Sequence, residues 1–140
     1  MSSWYFAYGS NMNPQRMRTR GLSFSEALAG QLQGYELCFN KRANDRPGTA
    51  YANIRHRQNA VVEGVLYRLD DPAEILKMDP FEGTPIFYSR ERLPVLTAQG
   101  TLPGWVYVAN PAWRCDGLTP TRAYVEDLVA GRDYLSPPYW

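Results

Sequence analysis

The sequence predicts an α+β domain in which a mainly antiparallel sheet curls into a small barrel carrying a few short helices. Three observations predict it: strand-like segments dominate, hairpin-length loops join many of them, and the helical segments are short with cap residues of their own. At 140 residues the chain has the size at which one hydrophobic core is the rule, so a single domain over 1–140 is expected. No internal repeat, low-complexity tract or linker interrupts it.

Tyr5 to Tyr8 is rich in aromatics, which favour a pleated, half-buried surface, and places the first strand at 2–8. Gly9 then allows a sharp turn and a close approach of backbone to a ligand. Asn13-Pro14 reads as an N-cap followed by proline at the first helical position, starting a short helix over 14–20. Leu32 to Phe39 alternates as a half-buried strand does. Asn44 to Gly48 is turn-like, and Thr49 to Arg55 forms the next strand. Ala60 to Leu69 is a stronger strand, with Val61, Val65, Tyr67 and Leu69 on one face.

Asp71-Pro72-Ala73-Glu74 has the spacing of a capping box and starts a helix that ends near Asp79. Phe87 to Thr97 and Leu102 to Ala109 are the arms of a hairpin around Gln99-Gly100. Thr119-Pro120 caps a last helix, where Tyr124 and Leu128, and Val125 and Val129, share faces at i,i+4 spacing; Gly131 ends it.

Two segments carry chemistry. In Tyr8-Gly9-Ser10-Asn11, the peptide N–H groups of the turn and the adjoining helix start form a concavity suited to an anion. In Met78-Asp79-Pro80-Phe81-Glu82-Gly83, Glu82 lies just beyond the predicted helix, where the macrodipole disfavours negative charge. Pro80 and Phe81 beside it are apolar, and partial desolvation also disfavours the carboxylate. Both effects raise its pKa, which suits a group that accepts and returns a proton near neutral pH. Position alone favours a surface carboxylate following a helix.

Together these segments resemble the gamma-glutamylcyclotransferase (AIG2-like) family. Tyr8-Gly9-Ser10-Asn11 stands as the family's signature at the end of its first strand, and Glu82-Gly83 as its Glu-Gly pair before a later strand. Pro120, Tyr124, Leu128 and Gly131, then Leu135, Pro137 and Tyr139, match the C-terminal part more loosely. The resemblance spans nearly the whole chain and implies the same barrel fold.

It also implies a reaction: internal transamidation of a gamma-glutamyl compound, in which the substrate's α-amino group attacks its own γ-carbonyl. The products are 5-oxoproline and the released amine or amino acid. The attacking group arrives with the substrate, so no serine or cysteine nucleophile, cofactor or metal is required. By resemblance Glu82 is the catalytic acid/base, and the segment Tyr5, Phe6, Ala7, Tyr8, Gly9, Ser10 and Asn11 binds substrate. Its turn N–H groups hold either the α-carboxylate or the oxyanion. Tyr88, Tyr107 and Tyr124 match pocket positions, each able to hydrogen-bond through its hydroxyl while burying its ring. A gamma-glutamylamine cyclotransferase, an enzyme removing a gamma-glutamyl cap, and a non-catalytic small-molecule-binding module are the alternatives. Keeping Glu82 argues against the last.

The remaining features narrow the field. A net charge of +1 supplies no long-range field towards nucleic acid or membrane, and no RNA-binding aromatic motif is present. Basic residues cluster locally at Arg16, Arg18 and Arg20 and at Arg55 and Arg57; such groups are solvated faces or steer an acidic substrate. No apolar run has membrane-spanning length and no signal-peptide pattern opens the chain, so a cytoplasmic location is expected. Cys38 and Cys115 lack metal or redox spacing and are expected as free thiols. His56 lies outside any Ser-His-Asp or Cys-His arrangement and is assigned no role. Oligomeric state is open; Tyr139-Trp140 would cover a pocket edge or a partner surface.

Overall fold

Phe6 is fully buried, and the space for its ring is made by residues that lack a side chain. A Cβ added to Gly30 would come within 3.2 Å of Phe6 Cε1, and one on Gly64 within 2.8 Å of Cζ. In the computed structural model, which describes residues 3–42, 50–82, 84, 88–110, 114 and 122–136, this ring fills the centre of a closed barrel. Its strands are β1 (Ser3–Ala7), β2 (Phe24–Arg42), β3 (Ala50–Leu69), β4 (Tyr88–Thr97) and β5 (Gly100–Ala109). They are hydrogen-bonded in the order β1-β3-β2-β4-β5. Neighbours run antiparallel except at the closing seam, where β1 meets β5 in parallel with Tyr5 opposite Trp105. Closure removes the unpaired edges that an open sheet would present.

Two apolar layers result. Inside, Phe6 packs with Leu32, Val62, Leu66, Val95 and Val106, so every strand contributes. Outside, Tyr5, Val65, Tyr67 and Leu69 pack against Met12, Met17, Ile75 and Met78, which come from the helical segments. Fully burying one such large side chain stabilises by about 1.5–3 kcal/mol. β1 and the second half of β3 are therefore covered on both faces. That corrects the expected single apolar face of residues 60–69: Val65, Tyr67 and Leu69 share one buried face, Val62 and Leu66 are buried on the other, and Val61 is 40% exposed.

The strands also merge differently from expectation. The segments predicted at 49–55 and 60–69 are one strand, β3, and the segment at 32–39 is the middle of β2, which starts at Phe24. Their pairing shifts register between Gln33 and Tyr35. Gly34 adopts φ +82° and Asn59 φ +65° beside this irregularity. Such a bulge bends the ribbon without ending it, which local sequence reads as a break. The predicted turn at 44–48 lies outside the described residues.

The β4–β5 hairpin forms as expected, in register from Tyr88 opposite Ala109 to Thr97 opposite Gly100. Thr97 Oγ1 closes its turn by accepting from the Gln99 N–H at 3.0 Å and donating to the Gly100 carbonyl at 2.8 Å. Helix α1 (Pro14–Thr19) starts as expected, with the Asn13 side chain accepting from the Gln15 N–H at 3.1 Å.

Helix α2 (Ile75–Glu82) follows a 3-10 turn, Pro72–Glu74, and continues through Pro80 to Glu82 rather than ending at Asp79. Proline forgoes one ladder bond there without breaking the short helix, and the Thr84 N–H closes its end on the Asp79 carbonyl at 3.1 Å. Asp71 caps the turn by accepting from the Ala73 N–H at 2.8 Å. The expected capping box is not completed, because Glu74 pairs with Lys77 at 2.9 Å and accepts from the Ser23 N–H. Helix α3 (Arg122–Val129) lies against the 3-10 turn Ser10–Met12. Its predicted cap at Thr119-Pro120 lies outside the described residues. Gly131 ends it by bonding the Leu128 carbonyl, and a Cβ there would stand 2.6 Å from that of Met12.

One substitution tests the closure. A Cβ on Gly64 would approach the Ala7 carbonyl oxygen to 2.3 Å, which the β1–β3 pairing cannot absorb. Gly64→Ala is expected to destabilise by about 3 kcal/mol or more in denaturant unfolding. A loss below about 1 kcal/mol would show that β1 is not held this tightly.

Candidate active site

At the end of β1 the chain passes from Tyr8 through Gly9 into the 3-10 turn Ser10–Met12 and on to the Asn13 cap of α1. Gly9, at φ −117° and ψ −139°, makes the expected turn out of β1 without entering the left-handed region. Glycine is needed for room: a Cβ would stand 2.8 Å from the Tyr124 hydroxyl oxygen and 3.3 Å from Ala52 Cβ. The neighbour that requires this space is the protein's own tyrosine.

Asn11, only 3% exposed, is where the elements meet. Its Nδ2 lies 3.0 Å from Tyr5 Oη, 3.4 Å from Met78 Sδ and 3.3 Å from Glu82 Oε1. Its Oδ1 accepts from Arg20 Nη1 at 3.2 Å, and its backbone carbonyl accepts from the Tyr67 hydroxyl at 2.7 Å. The turn after β1 and the end of α2, far apart in sequence, are thus joined by direct contact.

Glu82 is a half-buried residue whose carboxyl group faces inward to Asn11. Burial is the main cause that raises its pKa, to about 7 from an ordinary value near 4.5. The positive charges of Arg20, Lys41 and Arg16 oppose that rise, and Asp79 adds a smaller push upward. Desolvation wins, leaving a carboxyl group that both gains and loses a proton near neutrality.

Glu82 and the turn open into one cavity of about 250 Å³. Tyr5, Phe6, Tyr8, Gly9, Ser10 and Asn11 line it, as do Tyr88, Tyr107 and Tyr124. Ala7 does not; its short side chain is buried with Tyr5 in the layer between barrel and helices. Gly83 lies outside the described residues.

The tyrosine hydroxyls are tied to the walls. Tyr8 donates to the Tyr107 carbonyl, Tyr88 to the Ala52 carbonyl at 2.7 Å, and Tyr107 to Asp79 Oδ1 at 2.6 Å. Asp79 also pairs with Arg90 at 2.8 Å. Tyr124 Oη accepts from the N–H groups of Ala52, at 3.0 Å, and of Ser10. One N–H of the expected anion-binding turn is therefore engaged by Tyr124. Burial, above all, raises the pKa of Tyr5, Tyr8, Tyr88, Tyr107 and Tyr124, so each keeps its proton.

Six lining residues were not among the predicted site residues: Arg16, Arg20, Lys41, Tyr51, Ala52 and Phe81. The basic cluster on α1 signalled the two arginines, whereas Arg18 of that cluster stacks on Phe24, 5.0 Å from its ring centre. Lys41 and Tyr51 had no local signal; cross-strand pairing of β2 with β3 brings them together. Arg55 and Arg57 pair with Glu36 on an exposed face, and His56 packs on Tyr35. Cys38 Sγ donates to the Asn53 carbonyl at 3.4 Å, and Cys115 lies outside the described residues.

The family profile described as gamma-glutamyl cyclotransferase, AIG2-like matches residues 5–134. No curated protein matches the chain. Among solved structures the chain is similar to YkqA from Bacillus subtilis, with TM-score 0.86 and 23% identity, over 99% of this chain and 51% of that one. It thus spans about half the length of that protein. A structure described as a gamma-glutamyl cyclotransferase is similar with TM-score 0.80 and 21% identity, over 99% of this chain and 83% of that one. An uncharacterized protein from Homo sapiens is similar with TM-score 0.82 and 23% identity, over the same shares, 99% and 83%. At these identities the structural likeness establishes the fold.

The raised pKa of Glu82 has a consequence for stability. Between pH 4.5 and about 7 the folded protein keeps a proton that the unfolded chain has released, so stability falls as pH rises through that window. Above about 7 the loss is complete; below 4.5 it is absent. Glu82→Gln, which carries no charge, is expected to melt at the wild-type temperature near pH 4.5 and roughly a few degrees higher at pH 8. Equal melting temperatures at both pH values would overturn the assignment of a buried, proton-holding carboxyl.

Proposed function

The chain belongs to the gamma-glutamyl cyclotransferase, AIG2-like family, and from that premise we propose that it converts gamma-glutamyl compounds to 5-oxoproline, with Glu82 as the acid/base. The observation that carries the proposal is the direct contact of Glu82 with Asn11 inside the shared cavity. It sets a proton-exchanging carboxyl beside the turn that receives the substrate.

The chemistry asks little of covalent catalysis. The substrate's α-ammonium gives a proton to the Glu82 carboxylate, and the freed nitrogen attacks the γ-carbonyl carbon. A C–N bond forms, closing a five-membered ring, and the carbonyl oxygen becomes an oxyanion. Glu82 passes the proton it took to the amide nitrogen. As the oxyanion collapses the original amide C–N bond breaks, and the proton still surplus on the ring nitrogen goes through Glu82 to the departing amine. One carboxyl serves these transfers because its pKa lies near 7.

Positioning supplies much of the rest. Well-oriented intramolecular attack corresponds to effective molarities of about 10⁵–10⁸ M, and the cavity's task is to keep the gamma-glutamyl chain folded with nitrogen facing carbonyl. In this reading the α-carboxylate lies at the Gly9–Asn11 turn, next to the Tyr124 hydroxyl, which puts the α-nitrogen beside Glu82. Asn11, whose amide already donates towards Glu82 and Tyr5, steadies both the acid/base and the developing charge. The wall-bound tyrosines keep the cavity's shape fixed.

The test is a panel of gamma-glutamyl peptides, amino acids and amines incubated with the protein, with 5-oxoproline read by mass spectrometry. Glu82→Gln is expected to fold and bind ligand but to lose about 10²-fold or more in turnover. The wild-type rate should rise with pH through about 7, since proton acceptance requires the carboxylate form. Wild-type turnover in the variant would end the mechanism. Gly9→Val should abolish binding by displacing Tyr124 from the turn; unchanged affinity would show that the turn does not contact substrate.

A further inference from the structure

Arg90 and Tyr107 stand directly opposite each other in the β4–β5 hairpin, and they meet on one oxygen of α2. Asp79 Oδ1 accepts from Arg90 Nε at 2.8 Å and from the Tyr107 hydroxyl at 2.6 Å. Cross-strand pairing sets the two donors side by side, so a single carboxylate serves both. The Arg90 guanidinium is braced in turn, 4.6 Å from the centre of the Trp105 ring. Tyr107 lines the cavity of Glu82, whereas Asp79 and Arg90 do not.

The helix that carries Glu82 needs such an anchor. With eight residues, α2 is too short to hold its shape unaided, and Pro80 removes one ladder bond from its last turn. Beyond Met78 its apolar residues, Pro80 and Phe81, are exposed, so polar contacts must fix that turn. Asp79 lies one turn before Glu82, and its carbonyl accepts the Thr84 N–H that closes the helix. Asn11 meets the carboxyl from the β1 side, and Asp79 ties the turn to the β4–β5 side.

We propose that Asp79 is a positioning residue: clamped by Arg90 and Tyr107, it fixes the last turn of α2 and so holds the Glu82 carboxyl in the cavity. The inference rests on the cyclisation reading for its catalytic consequence and deepens it by naming what keeps the acid/base in place.

Charge is part of the hold. The Asp79 carboxylate disfavours ionisation of Glu82, and Arg90 offsets some of that charge. The cations facing Glu82 are Arg16 and Arg20, from α1 and the residue after it, and Lys41 of β2. The other titratable groups around it are Tyr5 and Tyr8 of β1, Tyr88 of β4, Tyr107 of β5 and Tyr124 of α3, all of which keep their protons.

The experiment titrates the Glu82 carboxyl by NMR in protein carrying carboxyl-labelled glutamate, the signal being identified by its loss in Glu82→Gln. The wild-type midpoint is expected at about 7. Asp79→Asn keeps an acceptor oxygen but loses the charge, and its midpoint should fall by about half a pH unit or more. Asp79→Ala also frees the turn and wets the carboxyl, so its midpoint should fall further, towards 4.5. Arg90→Gln leaves Asp79 held by Tyr107 without its compensating cation, and the midpoint should rise. General loosening of the fold admits water and lowers the midpoint in every variant, so displacements in opposite directions are specific to the clamp. In turnover the ascending limb of kcat should move with each midpoint. Asp79→Ala should lose about tenfold or more in kcat with KM little changed.

Unchanged midpoints overturn the proposal, as do displacements in one direction for Asp79→Asn and Arg90→Gln. Equal midpoints for Asp79→Asn and Asp79→Ala overturn it too, leaving a bare charge effect without positioning. Should Asp79→Ala fail to fold, the other two variants decide, since both keep a hydrogen-bonding group at the clamp. Opposite displacements in a protein that forms no 5-oxoproline would sink the cyclisation reading and leave the clamp standing. An active protein with one midpoint in every form would do the reverse.

Discussion

The site depends on one buried primary amide. Asn11 has two donor hydrogens and one acceptor oxygen, and it faces Tyr5 of β1, Met78 and Glu82 of α2, and Arg20 at the end of α1. Leaving a buried polar group unmatched costs about 1–3 kcal/mol, so these partners hold one another in a single arrangement rather than by separate contacts. The Tyr67 hydroxyl fixes the same residue's backbone from β3. The amide thereby converts the position of the barrel wall into the position of a carboxyl group.

Around that carboxyl, burial outweighs the cations that oppose it. Burial pushes Glu82 towards its neutral form while Arg20, Lys41 and Arg16 favour its charged form. Burial alone would leave an acid that never ionises near neutrality, and cations alone would leave a permanent carboxylate with no proton to return. The combination gives a group poised between them. The tyrosines around it do not compete for the proton, because their own burial keeps them un-ionised.

The barrel makes this balance possible by being rigid. β1 is covered on both faces, by the Phe6 layer within and by the helices without, so the turn that follows it starts from a fixed point. The glycines around Phe6 allow strands to approach closely, and Gly9 does the same for Tyr124. Rigid elements hold a constellation more accurately than loops can, and here the loop-like turn is short and anchored at both ends.

Much of this was legible in the sequence, because it depends on residues close together along the chain. The Asn13-Pro14 helix start, the β4–β5 hairpin, the turn at Gly9 and the acidic residue at the end of α2 each announce themselves by local chemistry. The matched motifs tied the turn and Glu82 to one family before their contact was known. What the sequence could not determine is nonlocal. The stretch between Arg55 and Ala60 reads as an interruption, yet the ribbon of β2 and β3 runs on through its bulge, since cross-strand bonds outweigh a local irregularity. Lys41 and Tyr51 look unremarkable until pairing sets them opposite each other, and Gly9 is explained by Tyr124, a residue of the last helix. Chain sequence determined which groups the protein possesses and how each short stretch is shaped. Tertiary structure alone decided which groups share a low-dielectric cavity, because desolvation and charge coupling arise only between surfaces that folding brings together.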